Sequence, residues 1–350
     1  MQLHPWLNDP NAVLVSRTPV LEPVRWEDYR HAAWQVMGAL ALTLEGEKAV
    51  IKPNLTSAEY FADPDNGITT HPAFVRGLVE YLRQHGARRG GIYILEDPRN
   101  SDDDEPRHWR GTGYLEVAAE TGAKLRCPTR FSCVRKAVPR PLVHRERLVS
   151  RLAVAPDAVL INVPKLKTHN LAITTLCLKN LMGVDYVVER HYCSQSWQEI
   201  PANLRLDDRP RSEWLDRALH ERYQEGLARR LADLAQVVQP RLNLVEGVIG
   251  RDGSGFQRGT NHPLGLVVAG TNMVAVDSVA SYLMGFNPQR LIYLQVAAEM
   301  GLGTNDLGRL HLYVVQEGNV VPCADPEALR IRPRFRVIRG IVCEEEYDYF

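Results

Sequence analysis

An α/β fold of two lobes, with mostly parallel sheets flanked by helices and a helical insertion, is what the sequence predicts. Three observations lead there. Short β-branched runs alternate along the chain with runs of helical period. Residues 48–96 read as strand, helix, strand, an order that implies a right-handed parallel crossover. Residues 157–163 (DAVLINV) form an apolar run between Pro156 and Pro164, the pattern of a strand buried on both faces.

After a short apolar run at 12–15, residues 26–44 carry apolar side chains at helical spacing, and 48–55 (KAVIKPNL) read as a strand that stops at Pro53-Asn54. Residues 72–85 open on Pro72, place Phe74, Leu78, Val79 and Leu82 on one helical face, and end at Gly86, a good helix stop. A strand at 92–96 (IYILE), a helix at 113–121 and a short strand at 124–127 follow. The run 157–163 then feeds into Pro164-Lys165-Leu166-Lys167-Thr168-His169, expected as a pinned loop beyond a strand's carboxyl end, where open α/β sheets hold their ligands. Residues 185–240 change character. Their charged, turn-rich start and the long Arg-rich amphipathic helix at 213–238 read as an insertion or lid. Strands at 242–249 and 264–269 and helices at 274–284 and 288–300 complete the chain. The expected division is a larger lobe over 1–240 and a smaller one over 241–350. The acidic, aromatic end CEEEYDYF is either a loosely ordered terminus or a tail that docks on the partner of a homodimer.

Composition excludes several classes. The 350 residues carry 42 Lys and Arg against 42 Asp and Glu, so the bulk basic excess of a nucleic-acid or membrane-surface binder is missing. No stretch reaches the roughly 18 apolar residues of a membrane span, and the start lacks a secretory pattern. The expected setting is therefore cytoplasmic. Cys127, Cys133, Cys177, Cys193, Cys323 and Cys343 are scattered without a C-x-x-C pair, so free thiols are expected and no ferredoxin-type iron–sulfur motif is present.

The densest polar group of residues is Lys165, Lys167, Thr168, His169 and Asn170, followed by Thr174, Thr175, Lys179 and Asn180. Lysines are costly to bury, so several at a strand end imply an anion for them to meet. Lys165 is expected to hold a small anionic substrate, with Asn54, Thr70, Asn180 and Asp97 as further contacts. His169, Lys167 and Lys179 are the expected catalytic groups. Thr70 could equally be the N-cap of the following helix. Glu96-Asp97 at a strand terminus could meet a ribose hydroxyl or a cation. Arg251-Asp252-Gly253-Ser254-Gly255 is either a phosphate-cradling loop or a tight turn between strands. Asp277, in a helix of small residues, faces either inward to a partner or outward to solvent. Eleven histidines show no metal-ligand spacing, so a metal site would be assembled from distant segments, with His169 the first candidate and His71, His191 and His220 its companions.

IKPNL, TTHP, the acid after IYILE, TGYLEVAAETGAKL, VPKLKTHNLAITTLCLKNLMGV, LVEGVIGRDGSGFQRGT and AVDSVASYLMG occur in that order. In this the chain resembles the proteins called domain of unknown function 362, over most of residues 48–310. Many members of that family carry a ferredoxin-like cysteine module, and this chain departs from them in lacking it. More remotely, the layout is similar to the lactate racemase family. That resemblance implies an active-site role for His169, a cofactor lysine at Lys179, and His191 or His220 as metal ligand. The expected function is metal-dependent redox chemistry on a small carboxylated metabolite, with iron the first metal and nickel or copper the alternatives. A racemase or isomerase with a lysine-tethered or metal cofactor, or a non-enzymatic anion- or metal-binding protein, are the other expectations.

Overall fold

The computed structural model describes residues 1–55, 63–100, 102–193, 195, 217–255 and 258–338. In chain order its strands are β1 (Ala12–Arg17), β2 (Lys48–Pro53), β3 (Ile92–Leu95), β4 (Lys124–Arg126), β5 (Cys133–Ala137), β6 (Glu146–Ser150), β7 (Ala158–Val163), β8 (Lys165–His169), β9 (Ile173–Thr175), β10 (Leu242–Arg251), β11 (Asn261–Gly270), β12 (His311–Gln316) and β13 (Asn319–Pro322). The helices are α1 (Trp26–Leu40), α2 (Pro72–Gln84), α3 (Tyr114–Thr121), α4 (Cys177–Asn180), α5 (Arg217–Val237), α6 (Met273–Met284) and α7 (Ile292–Glu299).

Nine strands line up in the order β13-β12-β1-β11-β10-β7-β2-β3-β4, and β8 and β9 extend from β10 as a side ribbon. The run β10-β7-β2-β3-β4 is parallel, whereas β11 pairs antiparallel with both β1 and β10. The expected α/β class with a mostly parallel sheet is what forms. β1, from the amino terminus, lies between β11 and β12, so segments on either side of residue 240 share one sheet. β5 and β6 make a separate hairpin.

Strand alternation divides the side chains between two cores. Ala49, Ile51, Val159 and Ile161 pack under α1, α2 and α3, while Val50, Leu160, Val13 and Val15 pack on the other face with α4 to α7. A side-chain period of two on strands covered on both faces requires this. No helix among the described residues is long and apolar enough to cross a membrane.

Three elements differ from expectation. The helix from Trp26 stops at Leu40 because Ala41 takes the left-handed conformation (φ 48°), although Leu42 and Leu44 remain buried beyond it. PKLKTH is a strand and not a loop: Lys165, Lys167 and His169 alternate with Leu166 and Thr168, and this period of two pairs β8 with β10 and β9. The carboxyl half of the expected lid is core, since Tyr223, Leu227, Leu231 and Leu234 of α5 are buried. Residues 194 and 196–216 of the expected insertion, and the tail CEEEYDYF, lie outside the described residues.

Candidate anion-binding site

The carboxyl ends of β2, β3 and β7 lie side by side, and beyond them opens a cavity of about 180 Å³. Its floor is a buried polar chain. Lys52, fully buried at the end of β2, places Nζ 2.6 Å from Glu96 Oε2, 2.6 Å from the Pro53 carbonyl and 3.3 Å from Asn180 Oδ1. Glu96 also accepts the Leu55 and Asp97 amides at 3.2 and 2.9 Å. Asn180 Nδ2 donates to the Lys52 carbonyl and to Asn162 Oδ1, and Asn162 Nδ2 continues to the Cys177 carbonyl and Asn243 Oδ1. This chain ties α4 to the centre of the sheet. Gly183 rests on the ion pair so closely that a Cβ there would lie 2.3 Å from Glu96 Oε1 and 2.6 Å from Lys52 Nζ.

Thr70 is a staple between strands and not the N-cap of α2. Its Oγ1 donates to the Val163 carbonyl and accepts the Asn54 amide, and its own amide donates to the Asn54 carbonyl. His71 is the N-cap, with Nδ1 accepting the Ala73 amide at 3.1 Å. Asp277 faces inward: from α6 it accepts the Cys177 and Leu178 amides that open α4, and burial raises its carboxyl to about 7.

Among the described residues the cavity wall carries Asn54, Asp97, Asn180, Lys179, Arg190 and His191. Arg190 is 6% exposed, and its Nη2 donates to Asp97 Oδ2 at 2.9 Å and to Asn100 Oδ1 at 2.6 Å. Its Nη1 is buried without a hydrogen-bond partner among the described residues. Lys179, half-buried on α4, reaches no carboxylate within ion-pair distance there. A guanidinium with an unspent donor beside an unpaired ammonium is an arrangement that a bound anion completes.

Behind this wall, β8 contributes Lys165 and Lys167. Lys165 stands opposite Glu246 of β10 in the strand register, and its Nζ meets Glu246 Oε2 at 2.7 Å. A register shift follows, so Lys167 stands opposite Arg251. Its Nζ donates to the Ile68 carbonyl at 2.8 Å, and no carboxylate comes within ion-pair distance among the described residues. Burial, reinforced by the charges of Lys179, Lys165 and Arg251, holds its ammonium well below the usual lysine range.

His169 closes β8, and its Nδ1 accepts the Leu171 and Ala172 amides at 3.0 and 3.2 Å, which puts the ring proton on Nε2. Burial, then the charge of Lys179, lower its pKa well below the ordinary histidine value. The turn that carries it places Ile173, a β-branched residue, at φ 68°. Such strain is held only where the surroundings over-determine it, and it gathers at functional sites.

The other expected metal ligands are dispersed. His71 stacks on Tyr29 at 3.7 Å, and its Nε2 faces Asp65 at 3.1 Å, so both ring nitrogens are engaged. His220 on α5 meets the Asn170 carbonyl through Nε2 at 3.2 Å, and His191 lies exposed on the cavity wall. Among the described residues no three His, Cys, Asp or Glu side chains form a group able to hold a metal ion.

Of the expected site residues, then, Asn54, Asp97, Asn180 and Lys179 line the cavity, Thr70 holds the Asn54 amide behind it, and Lys165, Lys167 and His169 of β8 are not on its lining. Sequence reasoning missed Arg190 and Asn162. Arg190 lies in a turn with no local pattern, whereas the alternation of IKPN marked Lys52 as a strand-end cation. The glycine-rich stretch is a packing turn: Gly253 O accepts from Thr168 Oγ1 at 2.7 Å, and a Cβ on Gly255 (φ 94°) would lie 2.4 Å from the Thr168 carbonyl.

No solved structure matches this chain. A protein described as thylakoid-associated, from Synechocystis sp. (strain ATCC 27184 / PCC 6803 / Kazusa), is 23% identical over 261 residues, covering 73% of this chain and 69% of that protein. Neither comparison shows the likeness to lactate racemases. The family model described as Domain of unknown function (DUF362) matches residues 49–282, which span the strand ends, β8 and the whole cavity wall, and the chain belongs to that family.

Proposed function

We propose that the chain is an enzyme that seats a small anionic, carboxylated metabolite between Lys179 and Arg190 and carries out proton transfer on it with His169 as electrophile. The buried, unpartnered Nη1 of Arg190 on the cavity wall is the observation that carries this reading. A carboxylate there would gain a charge-assisted hydrogen bond from Nη1, worth about 1.5–3 kcal/mol. His169 is neutral, and with Nδ1 engaged by two amides its part is that of an electrophile that donates through Nε2–H.

Metal-dependent redox chemistry on the same metabolite is a further form of the proposal, with iron before nickel or copper. The donors on the wall favour it less, since Glu96 is neutralised by Lys52 and Asp97 by Arg190.

Calorimetric titration of the full chain with pyruvate, malonate and inorganic phosphate tests the reading. At least one anion should bind, and Arg190→Ala and Lys179→Ala should each weaken it roughly tenfold or more, or about 1.4 kcal/mol. Replacing His169 with Ala should remove turnover and spare binding. Anions that do not bind, or bind equally well to Arg190→Ala, would refute it. Metal content of protein purified without chelator decides the redox form: near-stoichiometric iron, nickel or copper lost in His169→Ala supports it, and no bound metal after anaerobic reconstitution removes it.

A further inference from the structure

Three lysines, Lys52, Lys165 and Lys167, are buried beneath the strand ends. Two of them have a carboxylate: Lys52 meets Glu96 at 2.6 Å and Lys165 meets Glu246 at 2.7 Å. The third has the Ile68 carbonyl and faces Arg251 across the register. Like charges directly opposite on neighbouring strands are destabilising, and an unpaired ammonium in a dry site gives up its proton sooner than remain charged. Lys167 does not itself line the cavity, but it stands next to a residue that does. In the antiparallel β8–β9 ribbon its partner is Thr175, and directly opposed residues project their side chains to the same side, with Cβ atoms about 5 Å apart. Thr175 lines the cavity, as does Lys179 of α4, four residues further along the chain.

We propose that Lys167 is an amine nucleophile that captures the carbonyl carbon of an anionic keto or aldehyde acid held in the Lys179–Arg190 pocket. The inference rests on the anion-binding reading above and narrows it to substrates with a carbonyl next to their negative charge. The Nζ lone pair forms the new C–N bond, the carbonyl oxygen takes up the two amine protons and leaves as water, and a neutral C=N linkage remains without any change of oxidation state. Protonated by a neighbouring acid, that linkage draws electrons from the carbon on its other side, which prepares that carbon for proton loss. Of the cations that disfavour a charge on Lys167, Lys179 is also one that holds the acid.

The test uses the full-length protein with pyruvate, reduction by sodium borohydride, digestion and mass spectrometry of the peptides, together with calorimetric binding of pyruvate without reductant. The expected result is a reduced adduct on Lys167 approaching one per chain, with Lys52 and Lys165 unmodified. Labelling should fall at least tenfold in Arg190→Ala and vanish in Lys167→Met, which keeps the length of the side chain and loses the hydrogen bond to the Ile68 carbonyl. Should Lys167→Met fail to fold, the pH profile of the parent decides. Labelling at an uncharged amine stays nearly level from pH 6 to 8, whereas an ordinary lysine gains about tenfold per pH unit over that range. Pyruvate that binds and leaves Lys167 unmodified overturns this inference while the anion-binding reading stands. Adducts spread over exposed lysines overturn it as well, and neither binding nor adduct overturns both.

Discussion

Replacing Glu96 by Gln tests how the site is held together. The carboxylate accepts three donors, Lys52 Nζ at 2.6 Å, the Leu55 amide at 3.2 Å and the Asp97 amide at 2.9 Å, and is 5% exposed. An amide has one accepting oxygen. Its NH₂ must face either Asp97 N–H or the Lys52 and Leu55 donors, so at least one buried donor is lost at about 1–3 kcal/mol. Lys52, with no exposed surface, is left as a buried charge without a counter-charge, and breaking such a pair costs about 3–5 kcal/mol. Neutralising the lysine sets a ceiling: from its ordinary pKa of 10.5 to pH 7 costs roughly 5 kcal/mol at 1.36 kcal/mol per unit. The expected loss is therefore about 3–5 kcal/mol, or a melting temperature lower by roughly 6–15 °C. Denaturant unfolding measures it. The double variant Lys52→Met/Glu96→Gln should recover at least about 1 kcal/mol, because the isolated charge is gone. A single variant within about 0.5 kcal/mol of the parent, or a double variant no more stable than the single, would refute the reasoning.

Gly183→Ala drives a methyl group to 2.3 Å from Glu96 Oε1 and should cost about 1–3 kcal/mol by overpacking, with weaker anion binding in the same sample. Thr70→Val removes the hydroxyl between the Asn54 amide and the Val163 carbonyl, and about 1–3 kcal/mol of stability should go with it in urea unfolding. His71 has its pKa depressed to about 3, chiefly by burial, so the folded state keeps it neutral while the unfolded chain protonates it below the ordinary 6.5. Stability should then fall with decreasing pH from 6.5 towards 3 by up to about 1.4 kcal/mol per pH unit from this group. Asn can replace the capping acceptor, and His71→Asn should flatten the slope by about one proton; an unchanged slope would show that His71 titrates normally.

Much of this was legible in the sequence, and the failures have physical reasons. Strands with continuous apolar runs and a helix opened by proline and closed by glycine were readable because local pattern and burial agree there. The strand character of PKLKTH was concealed by composition: two lysines on a buried strand contradict every expectation of polarity, and the period of two between them was the surviving signal. Thr70 and His71 exchanged roles because the histidine is enclosed by Tyr29 and Asp65, and a buried ring nitrogen is as good an N-cap acceptor as a hydroxyl. Arg190 could not be read at all. Its meaning comes from Asp97 and Asn100, 93 and 90 residues away, which bind Nη2 of the guanidinium while Nη1 is buried without a partner among the described residues.

The irregularity of β10 separates the two lysines of β8 in chemistry. At Glu246 the register with β8 delivers an acid to Lys165, and two residues further along β8 an uninterrupted parallel pairing would deliver Val248 to Lys167. The register shift beyond Gly247 delivers Arg251 in its place. Gly247 permits this geometry, since a Cβ there would lie 2.7 Å from the Leu166 side chain and 3.1 Å from the Leu266 carbonyl. One strand therefore presents two lysines of the same face in opposite states. Lys165 is fixed as half of an ion pair that also holds the His71 amide through Glu246, and Lys167 is kept from finding a counter-charge. A sheet built for stability alone would pair both. A bulge that pairs one and surrounds the other with cations fits a lysine whose counter-charge, or whose electrophile, arrives with the ligand.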